Sequence, residues 1–143
     1  MPPDQSARRS AKPVPSPTPE TQTFWDKARE RELWLPRCVD TGRIFFPPRA
    51  FSPFTGGGVS WDKASGKATL ASFIIVHRPS PGYEDEAPYI VALADLAEDV
   101  RMMTNLPGAP ADPAALRIGA PLAVTFEERG DMVIPQFRLE DEA

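Results

Sequence analysis

Residues 60–139 carry the pattern that most restricts the fold of this chain. They form short segments rich in β-branched and aromatic residues, separated by turn residues at Ser65-Gly66 and at 129–131. No apolar stripe with the roughly 3.6-residue period of a helix extends over any length of this region. The pattern predicts about five strands, with one helical turn that starts at Asp112 and Pro113 before the fourth.

A sheet this small leaves few ways to protect its edges from other chains. Closing the sheet into a barrel removes the edges, and the five-stranded OB-fold matches the number of predicted strands. A small β-sandwich is the alternative architecture. The barrel is therefore the prediction for the C-terminal part of the chain.

The N-terminal part has a different composition. Residues 1–20, MPPDQSARRSAKPVPSPTPE, are rich in Pro and Ser and contain almost no large apolar side chains. They cannot bury enough surface to offset their ordering entropy, so we expect a disordered or extended arm. The following segment, TQTFWDKARERE, favours a short helix that Thr18 or Thr21 caps and that ends near Arg31.

Residues 37–58, RCVDTGRIFFPPRAFSPFTGGG, have the spacing of a two-knuckle metal ribbon. Each knuckle of such a ribbon is a C-x-x-C pair followed by Gly, so that two thiolates face one metal ion. The first knuckle here runs from Cys38 to Gly42, and the second from Ser52 to Gly56. Hydroxyl residues replace three of the four cysteines, at Thr41, Ser52 and Thr55.

Neutral hydroxyls are poor zinc ligands, and a single thiolate does not retain the ion. We therefore predict a ribbon frame without zinc, and a chance spacing is the alternative interpretation. Zinc often supplies most of the folding free energy of such modules, so apolar packing must replace it here. The residues expected to supply that packing are Leu33, Leu35, Ile44, Phe45, Phe46, Phe51 and Phe54.

Together these segments predict a mainly β protein. An N-terminal helix and zinc-ribbon-like hairpins are followed by a five-stranded OB-fold barrel. The expected divisions are a disordered arm over residues 1–20, a helix with a zinc-free ribbon over residues 21–58, and the OB-fold domain over residues 59–143.

Composition narrows the functional classes. The chain has 143 residues, a formal net charge of −4 and a pI of about 5.0, which argues against general nucleic-acid binding. Its one cysteine allows no internal disulfide and fits a reducing compartment. No apolar run approaches the roughly 18 residues of a membrane span, and no secretory signal is evident. The predicted location is the cytoplasm.

The sequence offers no catalytic constellation. It contains no phosphate-binding loop of the Walker or dinucleotide type, and no G-x-S-x-G motif. Cys38 belongs to a structural knuckle. His77, the only histidine, lies at the end of an apolar strand, where a structural or interface role is more common than catalysis. We expect no catalytic residue in this chain.

Positive charge gathers around the ribbon and the first strand after it. Such a face either holds an anionic group, for example a nucleotide-like phosphate, or is simply solvated. The residues in question are Arg37, Arg43, Arg49, Lys63 and Lys67.

Several segments taken together resemble a known family. They are F-P-P-R between the knuckles, S-G-K-A-T before the long strand, H-R-P after it, then P-Y-I-V-A-L and R-I-G-A-P. Over residues 23–138 the chain is identified as a member of the acyl-CoA-associated family in which a rubredoxin-like zinc ribbon precedes an OB-fold. That family was long described as a domain of unknown function. Its zinc ligands correspond to Cys38, Thr41, Ser52 and Thr55, so zinc is not carried over.

The resemblance implies a non-catalytic accessory subunit of a thiolase-like enzyme, an aldolase or an enoyl-CoA hydratase. Such a subunit assists acyl-CoA binding and complex assembly in lipid or steroid degradation. No cofactor of its own and no membrane partner are expected, and CoA is contacted within the complex. The candidate residues for contact with the partner or CoA are Arg37, Arg43, Phe46, Arg49, Phe51, His77 and Arg78.

Two other functional classes remain as alternatives. An OB-fold that binds nucleic acid needs exposed aromatic side chains among basic residues. The predicted strands are mostly aliphatic and the chain is acidic, which argues against that class. A stand-alone acyl-CoA enzyme would need a catalytic pair, and the sequence provides none.

Overall fold

The computed structural model describes residues 12–140. The elements in chain order are α1 (Gln22–Arg29), β1 (Trp34–Cys38), β2 (Val59–Lys63), β3 (Lys67–Val76), β4 (Tyr89–Leu96), β5 (Arg101–Asn105), a 3-10 turn (Pro113–Ala115), β6 (Pro121–Arg129) and β7 (Met132–Leu139).

Strands β3 to β7 form the barrel. Their order is β5-β4-β3-β6-β7, and each neighbouring pair is antiparallel. The two outermost strands of this order, β5 and β7, meet where the Phe137 N–H donates to Thr104 Oγ1 over 3.0 Å. The sheet is thereby nearly closed, and the predicted five-stranded OB-fold barrel is confirmed.

The barrel core follows from the alternation of side chains along its strands. In β4, Ile90, Ala92, Ala94 and Leu96 are buried, while the residues between them are partly exposed. Phe137 is fully buried among them. The same apolar cluster also includes Phe24 of α1 and Leu35 of β1. The helix and the ribbon therefore share one core with the barrel.

Strand β1 is the centre of the ribbon. It pairs with β2 in antiparallel register, from Trp34 opposite Lys63 to Cys38 opposite Val59. On its other side a single bridge joins Arg37 to Ile44. Strand β2 thus belongs to the ribbon sheet, and the barrel begins with β3.

Residues 1–11 of the predicted arm lie outside the described residues. Residues 12–18 have no regular secondary structure, but Lys12 Nζ lies 2.7 Å from Glu127 Oε1 of β6. That contact ties this part of the chain to the barrel.

Both ends of α1 differ in detail from the prediction. The helix ends at Arg29, and Arg31 has a left-handed φ of 62° that prevents its continuation. Thr21 occupies the N-cap position, but its hydroxyl accepts a hydrogen bond from the Thr18 N–H over 2.9 Å and makes no bond to the helix. The predicted side-chain cap is therefore wrong.

The predicted helical turn before the fourth barrel strand is present. Asp112 Oδ1 accepts a hydrogen bond from the Ala114 N–H over 3.0 Å, and Pro113 is the first residue of the turn. The turn ends at Ala115.

Candidate functional site

The two knuckles of the ribbon have matching backbone hydrogen bonds. In the first, the Gly42 N–H donates to the Cys38 carbonyl over 2.8 Å; in the second, the Gly56 N–H donates to the Ser52 carbonyl over 2.9 Å. Both glycines have a left-handed φ, 76° and 75°, which residues with a Cβ rarely adopt. The two-knuckle frame predicted from the spacing is therefore present.

Cys38 and Ser52, the first residues of the two knuckles, accept equivalent hydrogen bonds. The Thr41 N–H donates to Cys38 Sγ over 3.4 Å, and the Thr55 N–H donates to Ser52 Oγ over 3.4 Å. Cys38 is 0% exposed and Ser52 is 4% exposed. A hydroxyl oxygen thus occupies the place of a thiolate sulfur in the second knuckle.

The four predicted ligand positions meet around the Cys38 sulfur. Its neighbours are the hydroxyls of Ser52, Thr41 and Thr55, the last with Oγ1 at 3.8 Å from Sγ. Burial disfavours the charged thiolate, but hydrogen bonds from the hydroxyls of Ser52 and Thr41 and from the Thr41 amide lower the pKa of Cys38 to about 6. The ribbon encloses one thiol within a shell of hydrogen-bond donors.

This set of side chains does not fit a zinc ion. Zinc is held by thiolates, neutral imidazoles or carboxylates, and the cluster contains one such group. Its hydroxyls are already engaged: Thr55 Oγ1 donates to Asp40 Oδ2 over 2.6 Å, and Ser52 Oγ accepts from the Phe54 N–H over 3.1 Å. Within residues 12–140, no three His, Cys, Asp or Glu side chains are grouped so that they could hold a metal ion.

The outside of the ribbon exposes a group of apolar side chains, which we call the ribbon tip: Val39, Phe51 and Phe54. The Arg43 guanidinium carbon lies 4.0 Å from the centre of the Phe54 ring. Phe51 is 68% exposed, so the expectation that it packs inside the ribbon is wrong. Phe45, from the same predicted set, does supply that packing, because it is buried and meets the edge of the Phe54 ring.

The other candidate residues of the ribbon have different surroundings. Arg37 pairs with Asp62 over 2.9 Å. Phe46 is half-buried, and its ring centre lies 5.7 Å from that of Phe24 on α1. Arg49 is exposed. Phe46 therefore packs towards the core, whereas Arg49 is available to a partner.

His77 and Arg78 lie away from the ribbon. Both are exposed and follow the last residue of β3, a strand of 10 residues whose first residue comes shortly after β2. The structure therefore brings Arg43 together with the ribbon tip, and leaves His77 and Arg78 at the far end of the barrel strand.

Much of the predicted basic face is neutralised by carboxylates. Ion pairs join Arg37 to Asp62, Lys63 to Glu32 and Lys67 to Glu140. Within the described part of the chain, neither Arg43 nor Arg49 has an ion pair. The remaining uncompensated positive charge of this group thus lies close to the ribbon tip.

A polar cluster at one end of the barrel was missed from the sequence. Lys12 pairs with Glu86 and Glu127, while Gln136 Nε2 donates to Glu127 Oε2 over 2.6 Å. These side chains line a cavity of about 510 Å³. No local signal could have found the cluster, because Lys12 and Glu127 are 115 residues apart.

The face of β4 and β5 is where OB-folds commonly hold ligands. Here it borders a second cavity of about 360 Å³, and the rings of Tyr83 and Tyr89 stack beside it with centres 5.1 Å apart. The cations next to Tyr83 are Lys12 and Arg129, and both are paired with Glu127. Paired cations attract a phosphate backbone weakly, which argues against the nucleic-acid alternative.

None of the helices in the described part of the chain has the length and apolar character needed to cross a membrane.

Comparisons with known proteins identify the two modules. The model of the ChsH2 rubredoxin-like zinc ribbon domain matches residues 25–51, and that of the ChsH2 C-terminal OB-fold domain matches residues 61–127. A DUF35 domain-containing scaffold protein of Methanothermobacter thermautotrophicus is 31% identical over 122 residues, which is 80% of this chain and 90% of that protein. This chain belongs to the DUF35 family. The family resemblance noted in the sequence is thereby confirmed.

Two longer relatives match the DUF35 chain in part of their length. The probable enoyl-CoA hydratase alpha subunit of Thermomonospora curvata is 31% identical, over 91% of this chain and 40% of that protein. The 3-oxo-4,17-pregnadiene-20-carboxyl-CoA hydratase alpha subunit of Mycobacterium tuberculosis is 36% identical, over 78% of this chain and 35% of that protein. The chain thus spans less than half the length of these relatives.

Solved structures share the DUF35 fold. A chain of the Ltp2-ChsH2(DUF35) aldolase superimposes with a TM-score of 0.78 at 29% identity, covering 88% of this chain and 98% of that chain. A DUF35-family protein of unknown function from Sulfolobus solfataricus has a TM-score of 0.60 at 15% identity, over 85% of this chain and 86% of that chain, and shows the shared fold.

Proposed function

We propose that this DUF35 chain is a non-catalytic accessory subunit of an acyl-CoA enzyme. The observation that carries the proposal is the likeness to a chain of the Ltp2-ChsH2(DUF35) aldolase over 98% of that chain. The two relatives named as hydratase alpha subunits support the same class of assembly. The partner is a thiolase-like enzyme, an aldolase or an enoyl-CoA hydratase of lipid or steroid degradation, and this subunit assists acyl-CoA binding and assembly.

The ribbon tip is the proposed docking surface. Exposed apolar side chains that lie together on a surface commonly mark a protein interface. Aromatic residues and arginine are enriched in interface cores. Here Arg43 lies over the Phe54 ring, and Arg49 is two residues before Phe51 in the chain. Arginine also suits the phosphates of CoA, because its planar guanidinium donates in pairs. The proposal therefore includes CoA contact near these two arginines, within the complex.

A catalytic role for this chain is not part of the proposal. The single cysteine is buried in the ribbon, whereas the single histidine is exposed at the end of β3. These two side chains belong to different modules and cannot act as a nucleophile and its base. The proposal also includes no resident zinc, since the cluster has one thiol. A cytoplasmic location is proposed from the use of a single, unpaired cysteine.

The test is binding to any thiolase-like enzyme, aldolase or enoyl-CoA hydratase that is encoded beside this gene. Each is co-expressed with the chain and analysed by size-exclusion chromatography, and the affinity of the complex is measured by calorimetry. Burying a Phe side chain contributes about 1.5–3 kcal/mol, so F51D is expected to weaken binding by about tenfold or more. M103D is the matched control, because Met103 is 72% exposed but lies on β5 of the barrel.

Different results separate the alternatives. Co-elution that F51D abolishes and M103D preserves supports docking through the ribbon tip. Equal effects of both variants contradict that surface. A chain that stays monomeric with every neighbouring acyl-CoA enzyme, and that binds single-stranded DNA at moderate salt, contradicts the accessory role and favours nucleic-acid binding.

A further inference from the structure

The ribbon keeps a metal-binding frame around side chains that do not fit a metal. We propose that a hydrogen-bonded cluster of Cys38, Thr41, Ser52 and Thr55 takes the place of zinc in this ribbon, and that the four positions still hold the geometry of a zinc site. The inference concerns the chain alone and does not rest on the proposed partner.

Ser52 holds the backbone of the second knuckle in place, as a metal ligand at this position would. Its oxygen accepts hydrogen bonds from the Phe54 N–H over 3.1 Å and from the Thr55 N–H over 3.4 Å. Its hydroxyl also helps to lower the pKa of Cys38, in the first knuckle, to about 6. Ser52 is buried, so its removal would leave amides of the knuckle without an acceptor. One side chain thus satisfies the loop amides and also joins the two knuckles.

Thr55 is the second link between the knuckles. Its Oγ1 lies 3.8 Å from Cys38 Sγ, accepts from the Gly57 N–H over 3.0 Å and donates to Asp40 Oδ2 over 2.6 Å. Asp40 belongs to the first knuckle, so the last bond crosses from one knuckle to the other. Hydrogen bonds to a charged acceptor are among the stronger ones, and this one replaces part of the cross-link that a metal provides.

Gly57 leaves room for this crossing. A Cβ placed on Gly57 would overlap with the Asp40 carboxylate. Only a residue without a side chain lets the carboxylate reach Thr55 along this path. The glycine after the second knuckle is therefore explained by the hydrogen-bonded cluster itself.

Aromatic packing also connects the two parts of the ribbon. The rings of Phe45 and Phe54 meet edge to face, with centres 6.1 Å apart and planes at 85°. Arg43 lies over the Phe54 ring. These contacts connect the segment that follows the first knuckle to the second knuckle, and so support the link that a zinc ion would provide between the two knuckles.

One separation within the cluster has the length expected in a zinc tetrathiolate. Zn–S bonds are about 2.3 Å long, which gives S···S edges of about 3.8 Å in a tetrahedron. The separation of Cys38 Sγ and Thr55 Oγ1 is 3.8 Å. Because both knuckles also keep their left-handed glycines, cysteines at the three hydroxyl positions are expected to face one metal ion.

The first experiment rebuilds the site. The variant T41C/S52C/T55C is purified under reducing conditions, stripped of metal, and titrated with Co²⁺ and Zn²⁺. We expect one equivalent of bound metal and the visible absorption of tetrahedral thiolate-bound Co²⁺. The unaltered chain should show neither. The control T69C/S72C/S80C adds three thiols at exposed positions outside the ribbon, and should not give the tetrahedral spectrum.

The second experiment tests the hydrogen-bonded cluster without adding any cysteine. T55V removes the hydroxyl that bonds to Asp40 while keeping the shape of the side chain, and is expected to lower Tm by roughly 5 °C. T69V, at an exposed threonine of β3, should leave Tm nearly unchanged. A chelator should leave the Tm of the unaltered chain unchanged.

Three results would overturn the proposal. One is a stoichiometric zinc content in the unaltered chain, with a Tm that falls on chelation. Another is a folded triple-cysteine variant that binds no tetrahedral Co²⁺. The third is a T55V variant as stable as T69V, and this measurement decides the role of the cluster even where the triple variant does not fold.

Discussion

The ion pairs of Lys12 hold the N-terminal segment against the barrel, and Lys12→Ala is expected to weaken that attachment. Lys12 Nζ lies 2.7 Å from Glu127 Oε1 and also pairs with Glu86. The Arg129 guanidinium pairs with the other oxygen of Glu127 over 3.3 Å. Removing the ammonium group leaves the two carboxylates close together with one cation fewer. It also releases a proline-rich stretch from its contact with β6.

The partial burial of this pair sets the size of the effect. The side chain of Lys12 is 14% exposed and that of Glu127 is 27% exposed. Exposed pairs contribute about 0–1 kcal/mol, and removing one partner of a buried pair costs about 3–5 kcal/mol. This pair lies between these limits, so K12A is expected to lower the free energy of unfolding by about 2 kcal/mol. At roughly 2–4 °C per kcal/mol, the expected fall in Tm is about 4–8 °C.

The assay is denaturant and thermal unfolding of K12A, E127A and the double variant, which gives the coupling energy of the pair. K67A is the matched control, because Lys67 also pairs with a glutamate, Glu140, but is 61% exposed. Its expected cost is below about 1 kcal/mol. Limited proteolysis of residues 12–20 should be faster in K12A than in K67A.

The pH dependence has a definite sign. Burial disfavours the charge of Glu127, but Lys12 and Arg129 hold its pKa below the ordinary 4.5, so its contribution is present above that pH and is lost as the pH falls through the lowered pKa. Burial also disfavours the charge of Lys12, but Glu127 and Glu86 raise its pKa above the ordinary 10.5. That contribution is present below pH 10.5 and is lost as the pH rises through the raised pKa.

The difference in stability between the unaltered chain and K12A should therefore be largest near neutral pH and shrink towards both extremes. A cost of K12A no greater than that of K67A would refute the reasoning about burial. A difference that does not shrink when acid protonates the carboxylates would refute the assignment to the Glu127 carboxylate.

Two further substitutions test the barrel. F137A removes a fully buried side chain from the strand that closes the sheet, and should cost about 3–5 kcal/mol in urea unfolding, whereas F51A at the exposed ribbon tip should stay within about 0.5 kcal/mol. G66A places a Cβ 2.7 Å from Val124 Cγ1 at a residue with φ of +81°, and should cost about 1–3 kcal/mol; unchanged thermal stability would contradict that strain.

Features that depend only on residues close together in the chain could be predicted from the sequence. The alternation along β4 depends on a period of two residues, so Ile90 and Leu96 must lie on the same face of the strand. Asp112 and Pro113 begin a helical turn through a hydrogen bond two residues away. The knuckles repeat one spacing, and their glycines have the left-handed backbone that the turn requires.

Contacts between distant segments could not be predicted in the same way. Phe51 and Phe45 have the same side chain six positions apart, yet one is exposed and the other is buried. That difference depends on which way the second knuckle faces in the folded ribbon. The pairing of Lys12 with Glu127 likewise depends on where the barrel places β6 relative to the N-terminal segment.

The sequence by itself determined the five-stranded barrel, the two-knuckle frame and the family, because strand period, turn glycines and short motifs are all local. Only the tertiary structure decided how the frame is held together without four cysteines. The Cys38 sulfur meets three hydroxyls from two loops, and Asp40 crosses to Thr55 over 2.6 Å. Such contacts exist only once the two knuckles pack against each other, since neither loop alone can supply both the donors and the acceptors.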